Sequence, residues 1–473
     1  MKYLSSLNLK TSHKRIDLEM CPVVAYETLY LDDPFSFLYE SLESKGKRGR
    51  FSFVGGKPFL ILKSYGEEIS IQYHDELYKE KGNPFTVLRA LVNGRRTGAQ
   101  VLPFAGGAVG YVSYDAIRFI ENIPDANPDE MHVPDTYFMF PSEVIVFDHR
   151  EKTVDVITYS EEGGLKHIDV LEESLRSMDR TAIRKLPEGN GDSLPFNSNF
   201  TPQAYGDIVE KAKEYILAGD IFQVVLSQRF GFPLNVHPFT AYGALRRTNP
   251  SPYMYYLNFD GLTVAGSSPE ILVKVKDKQV TTRPLAGTRP RGEDQKKDEA
   301  LEKDLLSDEK EKAEHVMLVD LARNDIGRVC DYGTVHVDDM MSIERYSKVM
   351  HIVSNVEGRL RQDCDAFDVF EASFPAGTVS GAPKVRSMEI IDELETLRRG
   401  IYAGSIGYFD FSGNMDMCIA IRNIVMLKDQ GYIQAGAGIV ADSQPEKEYQ
   451  ETRNKAKALM HAIEMVSGKN AST

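Results

Sequence analysis

The stretch IYAGSIGYFDFSGNMDMCIAIRNIVMLKDQGYIQAGAGIV, residues 401–440, holds mostly apolar runs separated by turn signals. Ser412-Gly413-Asn414 and Asp429-Gln430-Gly431 supply two of the turns, which predicts an antiparallel meander. Folding about those centres puts Arg422 opposite Gly404 on one side and Ala437 on the other. Tyr402 then falls diagonally adjacent, on the face of Arg422. A cation, a phenol and the glycine-rich backbone of Gly436-Ala437-Gly438 converge. A register slip of one residue would undo this, because it sends every side chain to the other face.

Outward from the meander, residues 184–201, RKLPEGNGDSLPFNSNFT, are rich in Pro, Gly, Asn and Ser and lack an apolar period. They read as a linker. Before them lies a β-rich region, 1–183; after them a larger unit, 202–467. That unit opens on a sharp helix signature, with Thr201 as N-cap, Pro202 at the first helical position and Gly219 as the stop. Ile221 to Phe230 follows as a strand-like run.

With 473 residues, 42% of them hydrophobic, the chain can bury a large core. Its net charge of −14 argues against nucleic acid or a membrane surface as partner. An acidic protein that binds an anion must concentrate positive charge locally, so arginines and metal sites draw attention. Cys21, Cys330, Cys364 and Cys418 are far apart and form no CxxC pair, which excludes a disulfide framework or structural zinc as the expectation. None of their contexts, EMCPV, RVCDY, QDCDA and DMCIA, is a glycine-flanked nucleophile turn. The opening MKYLSSLNLKTSHKR is broken by Lys2, Lys10 and Lys14, and no run of about 18 apolar residues occurs. A cytoplasmic location is expected.

Several constellations could carry chemistry. In PEKEYQETRNKA, Glu448 and Glu451 are i and i+3 on a predicted helix, hence neighbours. The bland alternative is an acidic first turn complementing the helix dipole; the functional one is a set of oxygen ligands for a hard cation. A second helix, with an expected N-cap at Ser307, carries Glu314. Two carboxylates from separate helices plus water suit Mg2+, but sequence does not bring the helices together. Gly287-Thr288 and Pro375-Ala376-Gly377-Thr378 read as small-residue turns. His351 sits in the strand-like MHIVSNV, where a histidine is commonly structural. Glu270 follows a proline turn and is either a strand-edge surface group or, if buried, an acid with a raised pKa.

Taken together, GDIFQVVLSQ, GSSPEIL, RPLAGTRPRG, EHVMLVDLARND, FPAGTVSGAPK, IAIRNI, GAGIVADS and EYQETRNKA resemble the chorismate-utilising enzymes in order, spacing and wording. The resemblance implies an α+β fold, a large antiparallel β-sandwich flanked by helices. It implies Mg2+ held by Glu314 and Glu451 with Glu448 beside it. Gly287, Thr288, Tyr402, Arg422 and Gly436 to Gly438 would hold the two carboxylates of chorismate. Glu270 would protonate the departing ring hydroxyl, while His351 and Thr378 would line the ring and His351 would help the later loss of pyruvate.

Three features choose among family members. Gln223 stands where members that add water resemble one another in having lysine; an amide has no basic lone pair, which disfavours isochorismate and salicylate synthases. Ala286 stands where many aminodeoxychorismate synthases have lysine. Leu38-Tyr39-Glu40-Ser41 with RGRFSF (48–53), and NPSPYM (249–254), are similar to the stretches that form the tryptophan feedback pocket of regulated anthranilate synthases. Ser41, Arg50, Pro252, Tyr253 and Met254 would contact tryptophan, although Tyr39 departs from the usual leucine. The resemblance thus points to the large subunits of anthranilate synthases, fed with ammonia by a separate glutaminase subunit. The alternatives are an aminodeoxychorismate synthase large subunit and a non-catalytic tryptophan-sensing subunit.

Overall fold

The computed structural model describes residues 9–42, 49–94, 102–178, 186, 193–346 and 349–467. Its strands all pair antiparallel, in two sheets that share two long strands, Phe51–Tyr65 and Thr136–Asp148. The register between these two shifts at Pro58/Leu60. A proline cannot donate to the ladder, and a bulge bends its strand. On one side of that bend Phe51 to Gly56 belong to the first sheet; on the other, Leu60 to Ser64 belong to the second.

The first sheet runs from Lys10–Asp17 through Thr153–Ser160 and the shared pair to Phe35–Glu40, Tyr253–Phe259, Leu262–Ser268, Asn423–Leu427, Gln430–Ile439 and Gln223–Pro233. The second runs from Glu76–Lys81 and Glu68–Tyr73 through the shared pair to Gly107–Val112, Ser405–Asp410, Met415–Ile419, Ile271–Lys276, Gln279–Thr282 and Val349–Arg359. The sheets face each other. Tyr39 Oη of the first donates to the Gly407 carbonyl of the second at 3.1 Å, and the rings of Phe53 and Tyr408 lie 6.0 Å apart. Helices flank the sheets, as the α+β reading expects, and among the described residues none is long and apolar enough to cross a membrane.

Both sheets hydrogen-bond across the 184–201 division, through Phe35–Glu40 against Tyr253–Phe259 and Gly107–Val112 against Ser405–Asp410. Within that segment Asn197–Ser198 adds a short strand against Phe230 and Gly231, and Phe196 packs on Phe232 at 5.1 Å. Residues 184, 185 and 187–192 lie outside the described residues.

The meander forms with both registers displaced by two residues from expectation. Gly404 falls level with Ala420, and Ile424 pairs Ile433, which puts Arg422 level with Ala435. The turns sit earlier than the Gly-centred signals, with Lys428 at φ 52° opening the second. A two-residue slip preserves parity, but Tyr402 and Arg422 lie just outside the strands, so register alone does not set their faces. Thr201 caps helix Pro202–Ala218 by accepting from Ala204 N–H at 3.1 Å, and Gly219 ends it at φ 85°. The cap expected at Ser307 is corrected. Ser307 ends helix Gln295–Ser307, and Asp308 caps the next helix, Glu309–Gly327, by accepting from Lys310 and Glu311 N–H. A carboxylate one residue on is the better acceptor and adds a favourable charge at the positive end.

Candidate active site

One cavity of about 610 Å³ gathers the residues singled out from sequence. Its rear wall is strand Gln430–Ile439, which presents Gly436 and Gly438; Ala437, fully buried, does not line it. Alternation along a strand sends that side chain to the opposite face. A Cβ on Gly436 would stand 2.8 Å from the Tyr402 hydroxyl and 2.9 Å from the Leu226 carbonyl, so only glycine fits. Burial pushes the Tyr402 phenol up to about 12, against the opposing charge of Arg399 and the smaller effect of the Gly436 backbone.

Arg422 lies in the break between Met415–Ile419 and Asn423–Leu427, at φ 50°, with its carbonyl accepting from Ser267 N–H at 3.1 Å. That break tilts its side chain into the cavity rather than across the sheet. Among the described residues its guanidinium makes no hydrogen bond, and burial disfavours its charge. A desolvated fork of donors without acceptors fits an anionic ligand.

Glu270 opens strand Ile271–Lys276 and is 7% exposed. Burial raises its pKa to about 8, against smaller opposing effects of Thr378 and Arg422. It is therefore protonated at neutral pH, as a general acid must be. The neighbouring Thr378 hydroxyl is buried without a hydrogen bond of ordinary geometry.

Gly287 sits at φ 66° in a bulge of strand Leu285–Pro290, where the register against Val349–Arg359 shifts between Ala286 and Thr288. The bulge turns its carbonyl to His351 Nδ1 at 2.9 Å, with Thr288 Oγ1 3.1 Å from the same nitrogen. A carbonyl only accepts, so Nδ1 carries the proton and Nε2 is the basic nitrogen. Burial lowers the His351 pKa to about 4, keeping the ring neutral.

The mouth is acidic. Helix Glu309–Gly327 contributes Glu311 and Glu314; helix Pro445–Glu464 contributes Glu448 and Glu451. Burial, then the charge of Glu451, holds the Glu448 carboxyl above its ordinary range, against the opposing Ser443 hydrogen bond; burial does the same for Glu311. Gln223 donates its amide to Glu314 Oε1 at 3.2 Å. Three cations answer this charge among the described residues: Arg289, 3.1 Å from Glu311; Lys455, 2.8 Å from Glu451 and donating to the Gly436 carbonyl at 3.0 Å; and Lys310, paired with Asp442 at 2.9 Å. A surplus of carboxylate oxygens on two facing helices is the donor set a hard cation takes. The described residues bring one group of three potential ligands within 4.8 Å of one another, His336, Asp338 and Glu357, and none of these lines the cavity. Lys310 and Lys455 were missed in the sequence, although each stands four residues from a singled-out glutamate on the same helix face.

A second cavity, about 320 Å³, lies between the sheets. Ser41, Pro252, Tyr253 and Met254 line it, together with Tyr39. Arg50 does not; its side chain is half-exposed and donates to both oxygens of Asp148, at 3.1 Å and 3.3 Å from Nε and 2.8 Å from Nη2. The two cavities share Pro269 and Leu285 in their walls.

A sequence model described as chorismate binding enzyme matches residues 37–461. Anthranilate synthase component 1 of Acetivibrio thermocellus is 50% identical over 90% of this chain and 90% of its own length. Aminodeoxychorismate synthase component 1 of Bacillus subtilis is 43% identical over 90% of this chain and 91% of its own. The crystal structure of anthranilate synthase component I from Streptococcus pneumoniae superposes with a TM-score of 0.79 at 39% identity, covering 93% of this chain and 97% of that one. With family, fold and cavity in agreement, the chain belongs to the chorismate binding enzymes, in the company of the anthranilate synthase large subunits.

Proposed function

We propose that the protein is a cytoplasmic anthranilate synthase large subunit that converts chorismate and ammonia to anthranilate and pyruvate. The observation that carries this reading is one cavity holding a protonated buried acid, a half-buried guanidinium without a hydrogen bond among the described residues, and a carboxylate mouth. Arg422, Tyr402, Thr288 and the Gly436 and Gly438 backbone bind the substrate's carboxylates and orient its ring beside Glu270. Ammonia attacks the ring; Glu270 gives its proton to the leaving hydroxyl, which departs as water. The aminated ring then loses a proton and pyruvate, with neutral His351 beside it, and aromatisation drives that step. Glu314, Glu448 and Glu451 would hold Mg2+, whose charge would offset the substrate's ring carboxylate.

Ammonia is already a nucleophile and needs no base, so Gln223 can serve as a neutral donor to Glu314. An aminodeoxychorismate synthase is the second reading, favoured by the Bacillus subtilis relative and opposed by Ala286. A separate glutaminase supplies the ammonia, because no cysteine here stands in a glycine-flanked nucleophile turn. Burial pushes the Cys330 thiol up to about 11 and those of Cys364 and Cys418 upward too, whereas a nucleophilic thiol needs a lowered pKa. Residues 1–183 bring Ser41 and 202–467 bring Pro252, Tyr253 and Met254 to the second cavity, which binds tryptophan as feedback inhibitor.

The test is to give the purified chain chorismate, Mg2+ and either ammonium or glutamine. Anthranilate is expected with ammonium alone. Aminodeoxychorismate or isochorismate as the product would overturn the reading, and glutamine-dependent product would overturn the separate glutaminase.

A further inference from the structure

Behind the cavity wall lies an ion pair that no step of this reaction uses. Arg399 is 1% exposed and Glu395 5%. The guanidinium donates from Nε to Glu395 Oε2 at 2.9 Å and from Nη2 to Oε1 at 2.6 Å. Its other bonds go to backbone: Nη1 to the Val379 carbonyl at 2.7 Å and Nη2 to the Val225 carbonyl at 2.6 Å. Glu395 Oε1 accepts in turn from the Ser227 N–H at 2.7 Å and its hydroxyl at 2.8 Å. The guanidinium also lies 5.7 Å from the centre of the Tyr402 ring.

Stability is a poor explanation for this pair, since a buried ion pair roughly breaks even against well-packed apolar residues. Its bonding pattern is more informative. Val225 and Val379 both line the cavity, on different elements. Val225 pairs with Gly438 and Ser227 with Gly436, so Arg399 and Glu395 hold the far edge of strand Gln223–Pro233, the strand that backs the glycine strand. Val379 ends the turn Gly377–Val379 that presents Thr378 to Glu270. One planar fork thus spans two walls of the site and faces Tyr402. A lysine, a point charge on a flexible stem, cannot make both carbonyl bonds in that geometry.

We infer that Arg399, oriented by Glu395, is a positioning residue for the chorismate site, setting the distance between the Gly436–Gly438 backbone and the Thr378 turn. This rests on the reading of the cavity given above. Arg399→Lys keeps a cation beside Glu395 and loses the carbonyl bridge, so KM for chorismate rises about tenfold, or about 1.4 kcal/mol, with kcat little changed. Glu395→Gln keeps the carbonyl bonds but loosens the orientation of the guanidinium and unpairs its charge, so Tm falls and KM rises less than in Arg399→Lys. Replacing both by methionine returns Tm toward wild type and leaves KM raised, which separates positioning from stability even if a single variant folds poorly. Wild-type KM in Arg399→Lys or in the folded double variant overturns the proposal, as does KM that merely follows Tm. A wild-type chain that does not turn over chorismate would instead remove the reading of the cavity, and the positioning role with it.

Discussion

The two cavities share Pro269 and Leu285 yet treat their polar groups in opposite ways. Between the sheets, every charged wall group is matched. Glu40 takes Arg246 at 2.7 Å and 2.9 Å and the Tyr242 hydroxyl at 2.7 Å; Lys274 takes Asp416 at 2.6 Å; Arg283 takes Glu344. What remains for a ligand there is Ser41 and an aromatic lining that includes Tyr39, Phe51, Phe53, Tyr253, Tyr255 and Tyr408. In the larger cavity, among the described residues, the Arg422 guanidinium makes no hydrogen bond and the Thr378 hydroxyl none of ordinary geometry, and Glu270 is buried with its proton on. Satisfied polar groups make a receptor for an amphipathic ring; unsatisfied ones await a substrate that completes them.

The largest effects should come from the mouth of the larger cavity. Glu314→Gln or Glu451→Gln removes one charge from the carboxylate set with little change of shape. Several kcal/mol of transition-state stabilisation are at stake, so Mg2+-dependent turnover should fall by at least about a hundredfold, with Tm within a few degrees of wild type. Wild-type turnover in both variants would reduce the mouth to a solvated helix face and erase the contrast.

Next comes the buried acid. Glu270→Gln should cost about 10²- to 10⁴-fold in kcat. The sign of the pH dependence follows from a carboxyl raised to about 8. The acid is protonated below that pH and lost above it, so kcat/KM should fall as pH rises through about 8, and the Gln variant should lose that limb. A flat alkaline profile in the wild type would mean that Glu270 gives up no proton.

A smaller effect is expected between the cavities. Tryptophan binding between the sheets should weaken chorismate binding about 5- to 150-fold, and reciprocally. Ser41→Ala or a change at Met254 should relieve inhibition. The shared wall sharpens this: Leu285→Ala should lower the coupling while leaving each ligand able to bind alone. Calorimetry with each ligand, with and without the other, reads both quantities. Tryptophan binding untouched by Ser41→Ala would place its site elsewhere.

Gln223→Lys should give the smallest gain. Lysine there meets Glu314, the amide's partner at 3.2 Å, so an ion pair competes with Mg2+ and only a trace of water-derived product is expected. Anthranilate at the normal rate, with unchanged Mg2+ dependence, would show that position 223 does not face the reacting ring.

What the sequence revealed depended on whether a signal was local. Turn residues announced the meander but misplaced each centre, because Ser412-Gly413-Asn414 and Asp429-Gln430-Gly431 each contain more than one residue able to turn. The error of two residues kept parity, but Tyr402 and Arg422 sit where the chain leaves the ladder, and it is those breaks that bring them to the cavity. Ser307 and Asp308 are adjacent capping residues, and only the structure separates them. Long-range facts had no local signature. The approach of helix Glu309–Gly327 to helix Pro445–Glu464, the bend of Phe51–Tyr65 between two sheets, and the burial that sets Glu270 and His351 all depend on the closed sandwich. Arg399 and Glu395 carried an i, i+4 signature that reads as a surface pair until both prove buried.

The central claim is that this cavity aminates chorismate and goes on to expel pyruvate. Its most direct test counts pyruvate against anthranilate during turnover of chorismate with ammonium and Mg2+. Equal amounts, both abolished by chelating the metal, are predicted. An aminated product accumulating without pyruvate would contradict the claim and place the chain with the aminodeoxychorismate synthases.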